Sequence, residues 1–447
     1  MRSVVLTQSD REAVLRQHYT NHQVEVSLPA QREFMLFVEG KGKVWKSRNI
    51  HYENIDEITE ALIAKTPLAV YNSASLFLDP SYTDEKSRTV REAKSDEDSD
   101  RTGTQTEKKG WIGGELPFDI DFDHLPGWNN YREGIEIARQ NAVRLVDDFL
   151  IGDFAFDIED LDIRFSGHRG FHVLVTGEAY RFMTKEERRP LEDYILGTEV
   201  HASGFVFTST LTPSRSSKRE YEMYSNDAPG WGGRFTRTFT SMINQLRPLQ
   251  NEEKRQLLDQ WGPRTDAKAN YTRPNWTSDT PQPLDDKTAK EIIAFINNTD
   301  ALRMLKKTGK LSQAMWSSGA SHKTVATLVH MCVQKCQLDH GAEIDRITND
   351  IARQIRTPNS IHTAKFLPCV KITREDLEDF DLVLERISQL VGDEPTTISL
   401  DYDVLWEVNN EVFPAGKHTL PKWKAHSVLF GSKPVENSNE LTTPVAE

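Results

Sequence analysis

The chain has 447 residues, 37% of them hydrophobic, so it can bury at least one large core. At about 150 residues per domain, this length allows up to roughly three domains. Its net charge of −13 argues against a protein that coats nucleic acid by bulk electrostatics, so any such contact must be local. No apolar stretch approaches the roughly 20 residues of a membrane span, the N-terminus lacks the apolar core of a signal peptide, and three cysteines exclude a disulfide framework. We therefore expect a cytoplasmic protein that does not contact a membrane.

The first 180 residues predict a mixed α/β (α+β) fold. Residues 8–20 have helical spacing, and residues 34–38 and 44–50 are predicted strands on either side of the turn sequence GKGK. Residues 83–109 are almost entirely charged or small and polar, which predicts a disordered polar insertion. A strand before Asp119, an amphipathic helix at 130–150 and a strand at 164–175 follow. This β-α-β order predicts a small module in which helices cover a sheet, assembled from residues 1–82 and 110–180.

The remainder of the chain divides by composition into three predicted parts. Residues 181–320 are mainly helical and polar, with basic loops at 215–219 and 234–237, and form a predicted helical subdomain. Residues 321–436 return to an α/β pattern, and residues 437–447 are predicted to be a disordered tail. The sequence contains neither an internal repeat nor a glycine-rich phosphate loop ending in Gly-Lys-Ser/Thr.

Three acids lie close together near the end of the third predicted strand. Asp119, Asp121 and Asp123 alternate with Ile120 and Phe122, so on a strand their carboxylates share one face, about 7 Å apart between successive members. Crowded carboxylates repel one another unless cations neutralise them, and Mg²⁺ and Mn²⁺ prefer clustered oxygen ligands. An acidic outer face on a half-exposed strand is the alternative, and the acids alone do not decide between the two.

The strand at 164–175 is interrupted by the segment Ser-Gly-His-Arg-Gly-Phe-His. Its two glycines allow a sharp turn or a close approach to a ligand, and Ser166, His168, Arg169 and His172 supply hydrogen-bond donors. Arginine donates two parallel hydrogen bonds to phosphate, and a histidine held among anions keeps its proton more readily. We therefore predict a triphosphate-binding segment, with a glycine-containing β-bulge as the alternative. The glycine spacing does not match a nucleophile elbow, which argues against a catalytic serine.

A later segment could add a further acid to the aspartates and further donors to the predicted triphosphate-binding segment. Asp345 is placed in a strand-to-turn position, where it could act as a third metal ligand. Arg356 and the sequence Ser-Ile-His ending at His362 follow it and add donors that suit phosphate, beside the turn former Pro358.

Taken together and in this order, these motifs resemble the archaeo-eukaryotic primase superfamily, in particular the small catalytic subunit of archaeal DNA primases. The matching features are Arg-Glu-Phe at residues 32–34, Glu-Leu-Pro-Phe-Asp-Ile-Asp at 115–121, Ser-Gly-His-Arg-Gly-Phe-His at 166–172, and the late Asp345 followed by Arg…Pro-x-Ser-x-His up to residue 362. The resemblance implies a primase catalytic fold with an RRM-like sheet module and an inserted helical subdomain.

The resemblance also implies a mechanism. Asp119, Asp121 and Asp345 would bind two divalent metal ions, Mg²⁺ or Mn²⁺, for nucleotidyl transfer on a single-stranded DNA template. The nucleoside triphosphate, ribo- or deoxyribo-, would be bound by Ser166, His168, Arg169 and His172, assisted by Arg356 and His362. Lys46 and Arg48 resemble family residues near the initiating nucleotide or template, although lysine stands where arginine is usual. A primase large subunit would be the partner in a heterodimer, within a prokaryotic cell.

The chain departs from the family pattern at the zinc site. The family's zinc site between the acidic and glycine-rich motifs is excluded by counting, because the interval holds no cysteine and His124 is its one histidine. His330, Cys332, Cys336 and His340 offer an alternative cluster, but they also fit a buried helical stripe. The basic loops at 215–219 and 234–237 could hold template phosphates, although solvated loop charges are the simpler interpretation.

Three functions remain open at the level of sequence. The first is a primase small subunit that makes short RNA, or DNA, primers. The second is a self-sufficient primase-polymerase of a virus or mobile element, which the missing zinc site and the polar insertion would suit. The third is a non-catalytic nucleic-acid-binding or assembly protein on a primase fold, but a scaffold has no physical reason to maintain three clustered acids.

Overall fold

The computed structural model describes residues 5–40, 43–83, 108–122, 130–197, 207–209, 220–262, 282–308, 310–312, 322–336 and 353–435. The mixed α/β class is confirmed. The predicted site residues Asp345 and Asp123, the basic loop at 215–219, most of the predicted insertion and the predicted tail lie outside these ranges.

The structure describes eleven α-helices. They are α1 (Arg11–Asn21), α2 (Ile55–Lys65), α3 (Tyr131–Arg144), α4 (Lys185–Leu196), α5 (Gly230–Leu246), α6 (Asn251–Gln260), α7 (Asp286–Asn297), α8 (Thr299–Thr308), α9 (His322–Cys336), α10 (Phe380–Val391) and α11 (Lys422–Gly431). A π-helical segment, Leu145–Ile151, continues α3.

Most described strands are short. They are β1 (Val5–Leu6), β2 (Phe34–Gly40), β3 (Lys43–Ile50), β4 (Ala69–Ser73), β5 (Ser75–Phe77), β6 (Trp111–Gly114), β7 (Leu116–Asp121), β8 (Leu161–Phe165), β9 (Gly170–Val175), β10 (Phe207–Ser209), β11 (Glu220–Glu222), β12 (Lys310–Ser312), β13 (Gln354–Arg356), β14 (Ile361–His362), β15 (Leu367–Pro368), β16 (Val370–Ile372), β17 (Pro395–Leu400), β18 (Val404–Trp406), β19 (Glu411–Phe413), β20 (Gly416–Pro421) and β21 (Lys433–Pro434).

The chain forms two compact units. The first, called here the sheet unit, comprises Met1–Val143, Phe156–Glu192 and Gly341–Glu447. The second, called the helical unit, comprises Arg144–Ala155 and Asp193–His340. The domain boundaries expected from the sequence, at residues 180 and 320, remain predictions.

The sheet unit contains two four-stranded antiparallel sheets. One has the order β13-β4-β2-β3 and the other the order β16-β8-β9-β7. Helices α1 and α2 cover the first sheet, and their shared apolar cluster includes Leu15, Phe34, Leu36, Leu62 and Val70. The core therefore combines a helical stripe with the inward residues of alternating strands, which is how a helix-covered sheet buries its apolar face.

The segment predicted as one interrupted strand at 164–175 is a β-hairpin, so the single-strand prediction is wrong. Strand β8 pairs antiparallel with β9, and residues between them reverse the chain. Gly167 makes this reversal at φ +75°, a left-handed backbone conformation that side chains disfavour. The sequence contained the glycine, but two short apolar runs separated by polar residues do not distinguish a bulge from a turn.

The helical unit also contains a small antiparallel sheet, in the order β10-β11-β12. Its Arg234 was predicted to lie in a basic loop, and this prediction is wrong. Arg234 lies on α5, is 3% exposed, and donates to Asp153 Oδ2 at 2.6 Å. Its guanidinium also lies 3.8 Å from the centre of the Phe149 ring, so its charge stabilises the interior of the unit.

Helix α9 carries most of the second cysteine and histidine cluster. Cys332 and Cys336 are buried along it, and the Cys332 thiol donates to the carbonyl of Phe235 at 3.5 Å. His340 lies outside the described residues. Along the described part of the chain, no helix is both long and apolar enough to cross a membrane.

Candidate active site

The two described acids of the acidic motif lie on strand β7. Asp119 and Asp121 alternate with Phe118, Ile120 and Phe122, which are buried in the core. Both aspartates are half-buried and share the opposite face of the strand, as the alternation predicts. Strand β7 therefore presents carboxylates on one face because its other face is fully used for packing.

The carboxylate of Asp119 lies against an imidazole and a guanidinium. Its Oδ1 lies 3.3 Å from His172 Nε2, and its Oδ2 lies 3.1 Å from Arg353 Nη2. His172 is the residue directly opposite Asp119 on β9. Burial would raise the pKa of Asp119, but His172 and Arg353 outweigh that effect and hold its pKa at about 2. The carboxylate is therefore ionised at every physiological pH.

Strand β9 approaches the acids unusually closely at Gly170, the residue opposite Asp121. A Cβ atom at Gly170 would lie 1.9 Å from the carbonyl oxygen of Ile120 and 2.4 Å from Asp121 Oδ1. No side chain can therefore replace this glycine unless β7 and β9 separate. The close approach of β7 and β9 therefore requires the second glycine of the motif, whether or not a ligand binds.

The turn before Gly170 is held together by its own side chains. The Ser166 hydroxyl oxygen accepts from the backbone N–H of His168 at 3.4 Å and of Gly170 at 3.2 Å. The Tyr131 hydroxyl donates to the carbonyl of His168. Ser166 is buried, and its own hydroxyl proton remains available as a donor. The turn therefore has a fixed shape before any ligand binds.

His168 and His362 come together from distant parts of the sequence. Their rings stack with centroids 4.3 Å apart and planes 9° apart. Burial and the surrounding cations, among them Arg169, Arg356 and Lys365, lower the pKa of His168 to about 3. The binding of triphosphate by this histidine stays a prediction. We call the cationic side chains of Arg169, Arg356 and Lys365, together with the stacked rings of His168 and His362 beside them, the cationic cluster.

Arg356 is the most deeply buried arginine of this cluster, at 7% exposure. Its Nη2 donates to the Tyr71 hydroxyl at 2.6 Å, and its guanidinium lies 4.8 Å from the centre of the Tyr71 ring. Within the described residues, Nε and Nη1 have no hydrogen-bond partner. A buried guanidinium with unsatisfied donors is costly unless an anion binds it.

A row of side chains connects Arg356 to Lys46 across one face of the first sheet. The Tyr71 and Phe37 rings meet edge to face at 5.7 Å, and the Lys46 ammonium lies 5.8 Å from the Phe37 ring centre. Strand pairing places Arg356 opposite Tyr71 and Phe37 opposite Lys46. The structure therefore places Lys46 on the same sheet face as the cationic cluster.

Arg48 is held by a second group of charges. Its Nε lies 3.2 Å from Glu33 Oε1, while Lys109 Nζ donates to Glu33 Oε2 at 2.6 Å and to Asn49 Oδ1 at 2.9 Å. Glu33 is buried, so its charge is neutralised by these two cations. Arg48 itself remains 42% exposed and able to contact a ligand.

Sequence reasoning missed three residues of the site. Arg353 contacts Asp119, Tyr71 holds Arg356, and Lys365 pairs with Glu407 within the cationic cluster. None belongs to a motif with a recognisable spacing. Arg353 and Lys365 could have been suspected because each lies within three residues of a predicted site residue, whereas Tyr71 carried no signal.

The donor chemistry of the acids suits a hard divalent cation, because Asp119 is held ionised beside Asp121 on the half-buried face of the strand. In the part of the chain that the structure describes, no three His, Cys, Asp or Glu side chains are grouped so as to hold a metal. The predicted third ligand, Asp345, lies outside that part.

Known proteins with similar sequences identify the family. The sequence pattern of the family described as DNA primase small subunit matches residues 118–373, more than half of the chain. The chain belongs to the DNA primase small subunit family. It is therefore the catalytic subunit of a primase, a nucleotidyltransferase that makes primers, and the matched range includes Asp119, Asp121 and the residues of the cationic cluster.

Several archaeal primase small subunits are similar over most of their length. The DNA primase small subunit PriS of Methanocella arvoryzae is 26% identical over 393 residues, which cover 86% of each chain. PriS of Haloarcula marismortui is 26% identical over 426 residues, 92% of this chain and 94% of the relative. PriS of Halorubrum lacusprofundi is 29% identical over 324 residues, 71% and 73% respectively.

Proposed function

We propose that this primase subunit synthesises short primers on single-stranded DNA at a site formed by the acids of β7, Asp345 and the cationic cluster. One observation carries the proposal. Asp119 pairs with His172 on β9, and the turn that carries His168 and Arg169 leads directly into the same strand. The acids proposed for metal ions and the turn that carries His168 and Arg169 are thus adjacent parts of one sheet.

Asp119, Asp121 and Asp345 would hold Mg²⁺ or Mn²⁺. When bound, these ions would lower the pKa of the attacking 3′-hydroxyl and stabilise the charge of the pyrophosphate leaving group. The Asp119 carboxylate is kept ionised by His172 and Arg353, so no proton has to leave before a cation binds. His172 was expected to bind triphosphate, and its contact with Asp119 supports a role in orienting that carboxylate.

The triphosphate of the incoming nucleotide would bind the cationic cluster. Arg356 offers two unpaired donors, Ser166 offers a hydroxyl proton, and Arg169 adds a further guanidinium. A bound anion would raise the pKa of His168, so that the ring could take up a proton and donate to phosphate. His362 stacks on His168 and would fix the plane of its ring.

Lys46 and Arg48 would contact the template or the initiating nucleotide. Both lie on β3, the edge strand of the sheet whose other edge, β13, carries Arg356. Three strand spacings of about 4.8 Å separate the two edges, roughly 14 Å. That span would accommodate two nucleotides side by side, as the formation of a first phosphodiester bond requires.

A large subunit is the proposed partner. The similar archaeal proteins are named small subunits, and their match extends over most of this chain. This favours a subunit of a heterodimer over a self-sufficient primase-polymerase. Activity that rises sharply when a large subunit is added would support the heterodimer.

The test is nucleotide incorporation on single-stranded DNA with labelled ribo- or deoxyribonucleotides and Mn²⁺ or Mg²⁺. Wild-type protein should make template-dependent products that disappear when the metal is chelated. Asp119→Ala/Asp121→Ala should make none while keeping its melting temperature. Absence of product from wild-type protein, alone and with a large subunit, would overturn the proposal.

A further inference from the structure

The helical unit has a surface groove between α5 and α8 that takes no part in the catalytic site. One cavity of 760 Å³ is lined by residues of the segment before α5, by α5 itself and by α8. A shallow hollow of 550 Å³ adjoins it and shares Asn226, Thr240 and Asn244 with it. We call this surface the α5–α8 groove.

The groove combines an apolar floor with basic walls. Phe239, Ile243 and Leu305 are buried and form the floor. Cationic side chains line the walls, and all of them are exposed: Arg237, Arg247, Arg303 and Lys306. Asp227 is the one acid among the described residues that line either cavity. The chain as a whole has a net charge of −13, so the groove is a positively charged surface on a protein that is negatively charged overall.

These exposed cations can bind an anion. Among the described residues, Arg303 forms one ion pair, with Asp300 at 3.2 Å, and the two side chains are 73% and 85% exposed. Such a pair contributes little, and an approaching phosphate can replace it. The Arg237 guanidinium donates to the carbonyl of Asn226 at 2.8 Å, which fixes its position at the groove wall without neutralising its charge.

Spacing along α5 aligns the wall into a continuous track. Arg237, Thr240, Ser241, Asn244 and Arg247 recur at intervals of three and four residues, so they share one face of the helix. The amides and hydroxyls between the arginines are hydrogen-bonding groups without charge. Tyr224, which is 38% exposed at the groove, offers a ring on which a base can stack.

We propose that the α5–α8 groove binds single-stranded DNA outside the catalytic site. Charge complementarity identifies the ligand, because spaced cations, neutral polar groups and an exposed aromatic ring match a sugar-phosphate chain with unpaired bases. The inference rests on the proposed function only in that the enzyme acts on a DNA template. The groove would hold a length of template while the sheet unit extends a primer.

The test is binding of fluorescein-labelled oligothymidylate to the full chain by anisotropy, without nucleotides or divalent metal, across a range of salt concentrations. For single strands, log K falls with log salt by about 0.7 for each phosphate contact. The variant Arg237→Gln/Arg247→Gln/Arg303→Gln/Lys306→Gln should bind more weakly, with a slope lower by up to about 3. Tyr224→Leu should weaken binding at every salt concentration without changing the slope.

A matched control is Lys290→Gln, which removes one exposed lysine of α7 that does not line the groove. It should bind as wild type does. If the fourfold variant does not fold, Arg237→Gln/Arg247→Gln and Arg303→Gln/Lys306→Gln should each lower the slope by about 1.4. Unchanged DNA affinity and salt slope in the folded groove variants would overturn the inference. So would a loss of DNA affinity in Lys290→Gln as large as that in the groove variants. Groove variants that bind DNA normally but no longer bind a protein partner would also overturn it. Formation of a first dinucleotide at saturating template tests the catalytic proposal separately.

Discussion

Arg353 donates to Asp119 at 3.1 Å, so a guanidinium lies against the carboxylate that is proposed to bind metal. It comes from a segment 234 residues further along the chain. This contact stabilises the acid in its ionised form before any cation arrives. It also means that a bound metal and Arg353 repel each other at the same carboxylate.

Arg353→Gln should therefore bind metal more tightly. Removing one positive charge beside Asp119 is expected to lower the dissociation constant for Mn²⁺ several-fold, since a neighbouring like charge in a half-buried site costs about 1 kcal/mol. Electron paramagnetic resonance of free Mn²⁺ measures this directly. Weaker binding in Arg353→Gln would show that the arginine supports the metal site instead of competing for it.

Arg356 and Tyr71 should have graded effects on nucleotide binding. Arg356→Gln removes a charged donor and should raise the KM for nucleotide about 10- to 100-fold, because a charged hydrogen bond contributes about 1.5–3 kcal/mol. Tyr71→Phe keeps the ring under the guanidinium but removes the 2.6 Å hydrogen bond, and should raise KM by less than about tenfold. Steady-state kinetics with varied nucleotide measures both. Equal effects of the two variants would contradict this account.

Gly170→Ala should inactivate the enzyme. Its new Cβ would need the space of the Ile120 carbonyl and the Asp121 carboxylate, so β7 and β9 must separate. We expect a loss of stability of about 1–3 kcal/mol and a loss of activity of about 100-fold or more from displaced acids. Gly40→Ala is a matched control on β2, where the nearest atom to a new Cβ is 3.8 Å away. It should keep nearly full activity, and thermal melting with primer synthesis distinguishes the two.

Stability should fall in mild acid because of buried histidines. Burial lowers the pKa of His18 to about 4, although its ring bonds the carbonyl of Asn359. As the pH falls, His18 is therefore protonated first in the unfolded chain, near the ordinary histidine pKa of about 6.5. The contribution of His18 to stability is full above that pH and is lost as the pH falls toward 4. When the pH is lowered from 7.5 to 5.5, His18 alone should reduce the free energy of unfolding by about 1.3 kcal/mol.

His426 and His168, whose pKa values are also lowered, to about 4 and about 3, should each add a similar amount. Denaturant unfolding at the two pH values measures the sum. His18→Asn should reduce the difference by the His18 share, and a variant with the full wild-type difference would contradict this assignment.

The shared face of Asp119 and Asp121 could be predicted because apolar and acidic residues alternate from Phe118 to Phe122, which is the period of two of a strand. The contacts of Arg353 with Asp119 and of Tyr71 with Arg356 could not, since they join residues 234 and 285 positions apart that only the folded chain brings together. The protonation of His168 was also beyond the sequence, because it depends on which charges folding gathers around the ring. Arg234 was misplaced for the same reason, since its partner Asp153 is 81 positions away.

The most direct test of the central claim is the rate of the first phosphodiester bond on single-stranded DNA in single-acid variants. Asp119→Asn, Asp121→Asn and Asp345→Asn should each lose about 1,000-fold or more, because each removes charge from the proposed metal site. Asp123→Asn and the exposed control Asp401→Asn should retain most of the wild-type rate. Wild-type rates in any of the first three variants, with correct folding, would contradict the proposed site.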